Sequence, residues 1–281
     1  MTEPVLMAEG LSWPESPRWR DGQLWLSDVH NFRLVRLESS GALGAVIPIP
    51  GRPAGIGFMP DGRLLLATAL DRKLLWVGRD GSLSVAADLG KIAKSYLNDM
   101  IVDSKGRAWV GDTGFVFGSG EPERPGALLV YDEVAGLRVA AENIRFPNGI
   151  AIAEDESVLY LAETLGKCIT AFDIAPGGRL GNRRVHATLE SAPDGLCLDA
   201  TGHLWTPLLF QGEFHRIAPD GAVVERIAFA KKRAIACTLG GEDRHTLFLC
   251  VSAVHESNSE APIRSGAVYS HRVEIPGAGL P

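Results

Sequence analysis

Almost every motif that would assign a function at sight is missing from this sequence. It has no Gly-x-Ser-x-Gly nucleophile turn, no His-Glu-x-x-His zinc helix and no Gly-x-x-x-x-Gly-Lys phosphate loop, which removes three common chemistries. The seven histidines are scattered without ligand spacing, and His255-Glu256 lacks a second histidine. Only His30, in Ser27-Asp28-Val29-His30, is kept as a pocket candidate. Cysteine is sparse: Cys168, Cys197, Cys237 and Cys250 show no C-x-x-C spacing. They read as thiols in a reducing compartment, with no disulfide frame or zinc site, and the expected location is cytoplasmic. Basic residues number 28 against 34 acidic ones, for a net charge of −6, and no basic run exceeds Lys231-Lys232-Arg233. Electrostatic nucleic-acid binding is not expected from that balance. No window approaches the ~20 apolar residues of a membrane helix, and Met1 to Gly10 do not have the form of a secretory signal. Helical patterning is confined to one short turn over 88–94, while 32 glycines and 17 prolines punctuate the rest at strand-length intervals.

What the sequence does contain is a repeat. At intervals of roughly 40 to 50 residues, an apolar strand-like run is followed by a turn and a second apolar run. The position just before the first run is Glu15, Ala54, Asn98, Asn148, Asp194 and Cys237 in turn. The turns include Asp21-Gly22, Asp61-Gly62, Lys105-Gly106 and Thr201-Gly202, and the second runs include Leu24-Trp25-Leu26 and Leu204-Trp205-Thr206. A period of this length with several short β-runs per unit predicts an all-β, six-bladed β-propeller occupying residues 1–281 as a single domain. At this length a chain buries roughly 75% of the surface exposed when unfolded, so no covalent staple is required. The runs Pro4-Val5-Leu6-Met7 and Ala267-Val268-Tyr269-Ser270 are expected to share one blade and close the ring.

Four of the six register positions, Glu15, Asn98, Asn148 and Asp194, carry side-chain oxygens. Equivalent positions in successive blades converge on the propeller axis, so the set describes a central site for a hard divalent cation. Taken one at a time, Asn-Gly and Asp-Gly are ordinary turn formers; the matched register is what favours the metal.

The segments Trp13-Pro14-Glu15-Ser16-Pro17-Arg18-Trp19, Leu97-Asn98-Asp99, Phe146-Pro147-Asn148-Gly149-Ile150-Ala151, Pro193-Asp194-Gly195-Leu196 and Cys237-Thr238-Leu239-Gly240-Gly241 occur in order at blade spacing. With them the chain resembles, over nearly its whole length, the gluconolactonase, regucalcin (senescence marker protein) and luciferin-regenerating enzyme family. The resemblance implies one divalent cation held by Glu15, Asn148 and Asp194, calcium first, with zinc, manganese or magnesium as alternatives. It also implies that Asn98 stands beside the metal, contacting substrate or the metal's water shell, and that the activity is metal-dependent lactone hydrolysis on a small-molecule substrate. Two positions depart from the family pattern. Ser16 replaces the usual glycine after the first metal ligand, and Tyr96 stands where sugar-lactone members carry arginine. A phenol offers one donor and an apolar face, so Tyr96 is expected to line a pocket for a lactone less polar than a sugar lactone.

Phe115 and Phe117 lie in the long irregular segment 112–126, which reads either as an apolar flap over the substrate or as a surface hairpin. Pro207 to Gly212 adds apolar material expected to face the same pocket. In the expected reaction Asp194 is the base and Asn98 orients the carbonyl or the water. Asp99, next to Asn98 in a strand, is expected to point away as a structural residue, and Asp112 and Glu163 read as solvent-facing or bracing groups. Three rivals stand beside lactone opening: an organophosphate-type phosphotriesterase, a metal-assisted lyase or isomerase, and a non-enzymatic binding propeller.

Overall fold

A computed structural model describes residues 3–253 and 264–279; His255 and Glu256 lie outside the described residues. Strands form six four-stranded antiparallel sheets around one axis, the six blades anticipated from the repeat. Blades I to V run in chain order, with innermost strands Pro14–Arg20, Pro53–Phe58, Leu97–Val102, Pro147–Ile152 and Cys197–Leu198. Blade VI is built from Lys232–Gly240, Thr246–Ala253 and Gly266–Arg272, and its outer edge is the N-terminal strand Val5–Leu11. The two chain ends meet there, with Val5 opposite Ser270 and Leu6 opposite Tyr269. An open sheet edge at the seam is thereby covered.

The reason the blades hold together is visible in how their apolar residues divide. Six buried clusters lie between successive blades, one at each junction. Between blades II and III, Leu65, Ala67 and Leu74 meet Met100, Val102 and Leu129; blades VI and I join through Leu24, Leu26, Phe248 and Val268. Each blade buries its faces only against neighbours, which is why the repeat must close. The anticipated helical turn is a short 3₁₀ segment at Leu89–Lys91. Among the described residues no helix is long and apolar enough to cross a membrane. All four cysteines are free thiols.

Buried acids brace the blade tops. Asp28, Asp112 and Glu163 each end the second strand of their blade. Each accepts a backbone N–H from the segment leading into the innermost strand: Ser12 (2.8 Å), Ser95 (2.9 Å) and Arg145 (2.8 Å) respectively. Asp112 and Glu163 are therefore braces, buried and not solvent-facing.

The innermost strands carry a shared irregularity. In blades I to IV, one extra residue is inserted against the second strand: between Glu15 and Arg18, Pro53 and Ile56, Leu97 and Met100, and Pro147 and Ile150. A bulge of this kind breaks the in–out alternation and turns consecutive side chains toward the same face. Blade VI has its bulge between Ala234 and Ala236. The Gly149 N–H donates to the Asp194 carbonyl (2.9 Å), and in the same way Gly195 donates to Ile235 (3.0 Å). Ile235, and not Cys237, is thus the sixth axial residue. The two-residue error in the repeat alignment arises because blade VI's turn starts later relative to its bulge.

Candidate active site

Glu15, Asn98, Asn148 and Asp194, read from four blades of the repeat, line one cavity of about 240 Å³ on the axis. Bulges and glycines place them. Ser16 occupies left-handed backbone, φ +50°, where glycine would be at ease. Its hydroxyl accepts the Ile56 N–H of blade II at 2.9 Å, which anchors the turn after Glu15. Gly149 and Gly195 are glycine for a different reason. A Cβ on Gly149 would fall 2.3 Å from the Leu196 nitrogen, and one on Gly195 would fall 2.8 Å from the Ala236 Cα. These glycines let neighbouring innermost strands approach closely; they do not form the local turns that Asn-Gly and Asp-Gly commonly mark.

The chemistry at the deep end is dominated by carboxylates. Glu15 accepts the Trp13 indole N–H at 2.8 Å. Protein packed around Glu15 raises its carboxyl well above the ordinary range, with the negative charges of Asp194 and Asp99 adding to the effect and the Trp13 and Ser16 hydrogen bonds opposing it. Asp194 is raised for the same reasons, burial first and the charge of Asp99 second, with the Asn148 side chain offsetting part of it. Asp99 also lines the cavity, contrary to its expected outward direction, because the blade III bulge turns both Asn98 and Asp99 inward. It pairs with the buried Arg18 guanidinium at 3.1 Å. One cation thus faces three carboxylates, leaving two uncompensated.

Two buried oxygens at this point lack partners: Asn148 Oδ1 and Asp194 Oδ1. The Asn148 amide is oriented by donating to Thr164 Oγ1 at 3.1 Å, which leaves its oxygen toward the cavity. Unsatisfied buried acceptors are uncommon and costly. Two uncompensated carboxylates with an orphaned amide oxygen match the needs of one hard divalent cation. Among the described residues no three Asp, Glu, His or Cys side chains form a metal-holding group, so a cation here would take its third oxygen from Asn148. Asn98 spends one N–H on the Pro147 carbonyl at 3.1 Å and keeps its remaining polar valences.

The walls are apolar: Trp13, Phe146, Leu209, Phe210 and Phe117, the last 59% exposed. Leu209 and Phe210 come from the Pro207 to Gly212 segment, as anticipated. Phe117 sits edge-on to Phe146 with ring centres 5.9 Å apart. Phe115 does not line the cavity; it is buried behind the wall, 5.7 Å from the same Phe146 ring. Segment 112–126 thus pins one aromatic under the wall and lays the next against the cavity.

Tyr96 is also absent from the lining. Strand alternation from Asn98 would place it on the substrate side, but its ring instead packs against the blade II–III cluster and carries the Arg52 guanidinium 4.6 Å from its centre. Arg52, on the segment entering blade II, lines the cavity, as does His30. The expectation of a pocket without a strong donor at Tyr96 therefore meets a guanidinium supplied by a different blade. Nothing in the repeat signals Arg52, because it precedes the register position and lies outside every motif. Trp13 was legible only as part of the blade I segment, without a role.

Comparison with known proteins agrees with the fold and gives the family. The model of the SMP-30/Gluconolactonase/LRE-like region matches residues 13–253. Among curated proteins, a 6-deoxy-6-sulfogluconolactonase of Pseudomonas putida is 26% identical over 276 residues, covering 95% of this chain and 93% of its own. A pentonolactonase of Haloferax volcanii is 23% identical, covering 95% of this chain and 94% of its own. Among solved structures, a regucalcin from Agrobacterium tumefaciens, described as calcium-binding, superposes with a TM-score of 0.83 at 21% identity, covering 99% of this chain and 95% of that one.

Proposed function

The chain belongs to the SMP-30/gluconolactonase/LRE-like family, and from that premise we propose that it is a metal-dependent lactonase acting on a small-molecule cyclic ester. Lactone hydrolysis in general is supported by the sulfogluconolactonase and pentonolactonase relatives. The observation that carries the metal dependence is the pair of unpartnered buried oxygens on Asn148 and Asp194, beside Glu15 on one axial cavity.

Glu15, Asn148 and Asp194 would hold one divalent cation, calcium before zinc, manganese or magnesium, since the donors are hard oxygens. Bound there, it would supply a Lewis acid for the lactone carbonyl and a lowered pKa for adjacent water. The chain's own residues do the rest. Trp13 fixes the Glu15 carboxylate through its indole N–H. With Oδ1 of Asp194 turned to the cation, the second oxygen of that carboxylate takes the proton from the attacking water and returns it to the alkoxide released as the ring opens. Asn98, held by Pro147, keeps an N–H for the carbonyl or the water. Trp13, Phe146, Leu209 and Phe210 shield the reacting centre from bulk water, which strengthens each polar contact inside.

These aromatic walls, and not Tyr96, support a substrate with fewer hydroxyls than a sugar lactone. The four free thiols support a reducing, cytoplasmic location, and the net charge of −6 supports a small-molecule partner over nucleic acid. The test is turnover of dihydrocoumarin, an alkyl γ-lactone, glucono-δ-lactone and an aryl phosphotriester, each with and without chelator. Chelator-sensitive opening of the first two, ahead of the sugar lactone, is expected. Full activity after exhaustive chelation would remove the metal from the account, and a phosphotriester preference would move the chemistry to phosphorus.

A further inference from the structure

The outer part of the cavity carries a cation that ring opening does not require. Arg52 lines the cavity, and no carboxylate among the described residues pairs with it. Arg18, Arg33, Arg107 and Arg216 are each paired with a carboxylate, Asp99, Asp28, Asp103 and Asp199 in turn; half-buried Arg72 has none either, but of these two Arg52 is the one that faces the cavity. Arg52 Nε is buried with no hydrogen-bond partner, as are the Nε atoms of Arg18, Arg36 and Arg72, but Arg18 and Arg36 have a carboxylate on another nitrogen and Arg52 does not. A desolvated guanidinium without a counter-charge is unfavourable unless something else satisfies it.

Its placement is built. The residue sits in left-handed backbone, φ +62°. That conformation is pinned by two hydrogen bonds, Ala69 N–H to the Arg52 carbonyl (2.8 Å) and Leu70 N–H to the Gly51 carbonyl (3.0 Å). The Tyr96 face supports the guanidinium at 4.6 Å, which holds its planar fork in one orientation. His30 lies close by in the lining, and burial first, then the charge of Arg52, keeps its imidazole below its ordinary pKa, with Asp28 opposing. The nearby Asp28 is already engaged by Ser12, Asn31 and Arg33. The free carboxylates lie deeper, so an anion is repelled from the floor and held at the outer wall.

Resting on the lactonase reading, we propose that Arg52, stacked on Tyr96, is a specificity-determining residue that selects lactones bearing a separate anionic group, a carboxylate, sulfonate or phosphate. The anionic group docks on the guanidinium while the ester faces Glu15, Asn148 and Asp194. A lactone with an apolar ring and one anionic substituent fits both the walls and the cation.

The experiment separates binding from turnover. Lactams resist opening, so 5-oxoprolinate and its carboxamide serve as charged and neutral probes, titrated calorimetrically into the full, calcium-loaded chain. The wild type should bind the carboxylate roughly 10- to 100-fold more tightly than the amide, the range of a charge-assisted contact. That ratio should fall to near one in Arg52→Met and be partly retained in Arg52→Lys. The kcat/KM ratio for 5-oxotetrahydrofuran-2-carboxylate over its carboxamide should fall in parallel, and sulfonatomethyl and phosphoryloxymethyl γ-lactones identify the preferred anion. Equal binding of the two lactams, binding of neither, or a ratio that survives in Arg52→Met overturns the proposal. Opening of lactones without a charge preference sinks the anion site alone, whereas a charge preference in binding with no lactone opened sinks the hydrolase reading alone.

Discussion

Replacing Gly149 with alanine tests how the axial site is built. Gly149 is not in left-handed backbone, so alanine meets no conformational barrier and should by itself add ~0.4 to 1 kcal/mol of stability through the unfolded chain. Against that, the new Cβ would lie 2.3 Å from the Leu196 nitrogen, 2.4 Å from the Gly195 carbonyl carbon and 2.6 Å from the Asp194 oxygen. All three are backbone atoms, so no side chain can swing away and blade V must move. Overpacking at an unyielding site costs about 3 kcal/mol, the upper end of the usual range, for a net loss of about 2 kcal/mol. At ~2 to 4 °C per kcal/mol for a chain of this class, the melting temperature should fall by roughly 4 to 8 °C. Because Gly149 also donates to the Asp194 carbonyl, cation affinity should fall with it. Gly181→Ala is the control: its Cβ meets nothing within 4 Å. Calorimetric melting of both variants decides the matter. If Gly149→Ala melts with the wild type, Asn148-Gly149 is merely a turn and the close inter-blade approach is wrong.

Trp13→Phe keeps the wall but deletes the donor to Glu15; cation affinity should drop roughly tenfold, as for other groups that orient a ligand, with the metal-free melting temperature little changed. Phe117→Ala removes a half-exposed wall aromatic, so KM for an apolar lactone should rise several-fold while kcat holds, and an equal loss in kcat would assign Phe117 to the chemistry. For Asp28, burial pulls the pKa up but the hydrogen bonds from Asn31, Ser12 and Arg33 outweigh it, leaving the folded value below 3.8. Its contribution is therefore present above the unfolded pKa of ~3.9 and lost as pH falls through the folded value. Asp28→Ala should cost about 3 kcal/mol at pH 7, and the gap to wild type in urea melts should narrow below pH ~4; a gap independent of pH would mean that the carboxylate charge is not what braces blade I.

Much of this fold was legible because a propeller repeats its physics: each blade needs the same apolar runs and turns, so five of six register positions fell into place. Blade VI did not, since its bulge is at Ile235 and its turn lies farther on. Axial oxygens in four blades were readable for the same reason, and the cavity collects all of them. Side-chain direction near the bulges was not. Simple alternation sends Asp99 outward and Tyr96 inward, and the extra residue in blade III reverses the first while Arg52 covers the second. Arg52 itself belongs to a connection between blades, where neither period nor motif exists to mark it.

The central claim is that Glu15, Asn148 and Asp194 together hold one divalent cation. Titration of calcium into chelator-stripped protein, followed by calorimetry, tests it without reference to any substrate. One site per chain is expected, with a rise in melting temperature as calcium increases, and affinity reduced at least a hundredfold in both Glu15→Gln and Asp194→Asn. Undiminished one-site binding in those two variants, or no binding of calcium, zinc, manganese or magnesium to the wild type at millimolar concentration, would contradict it.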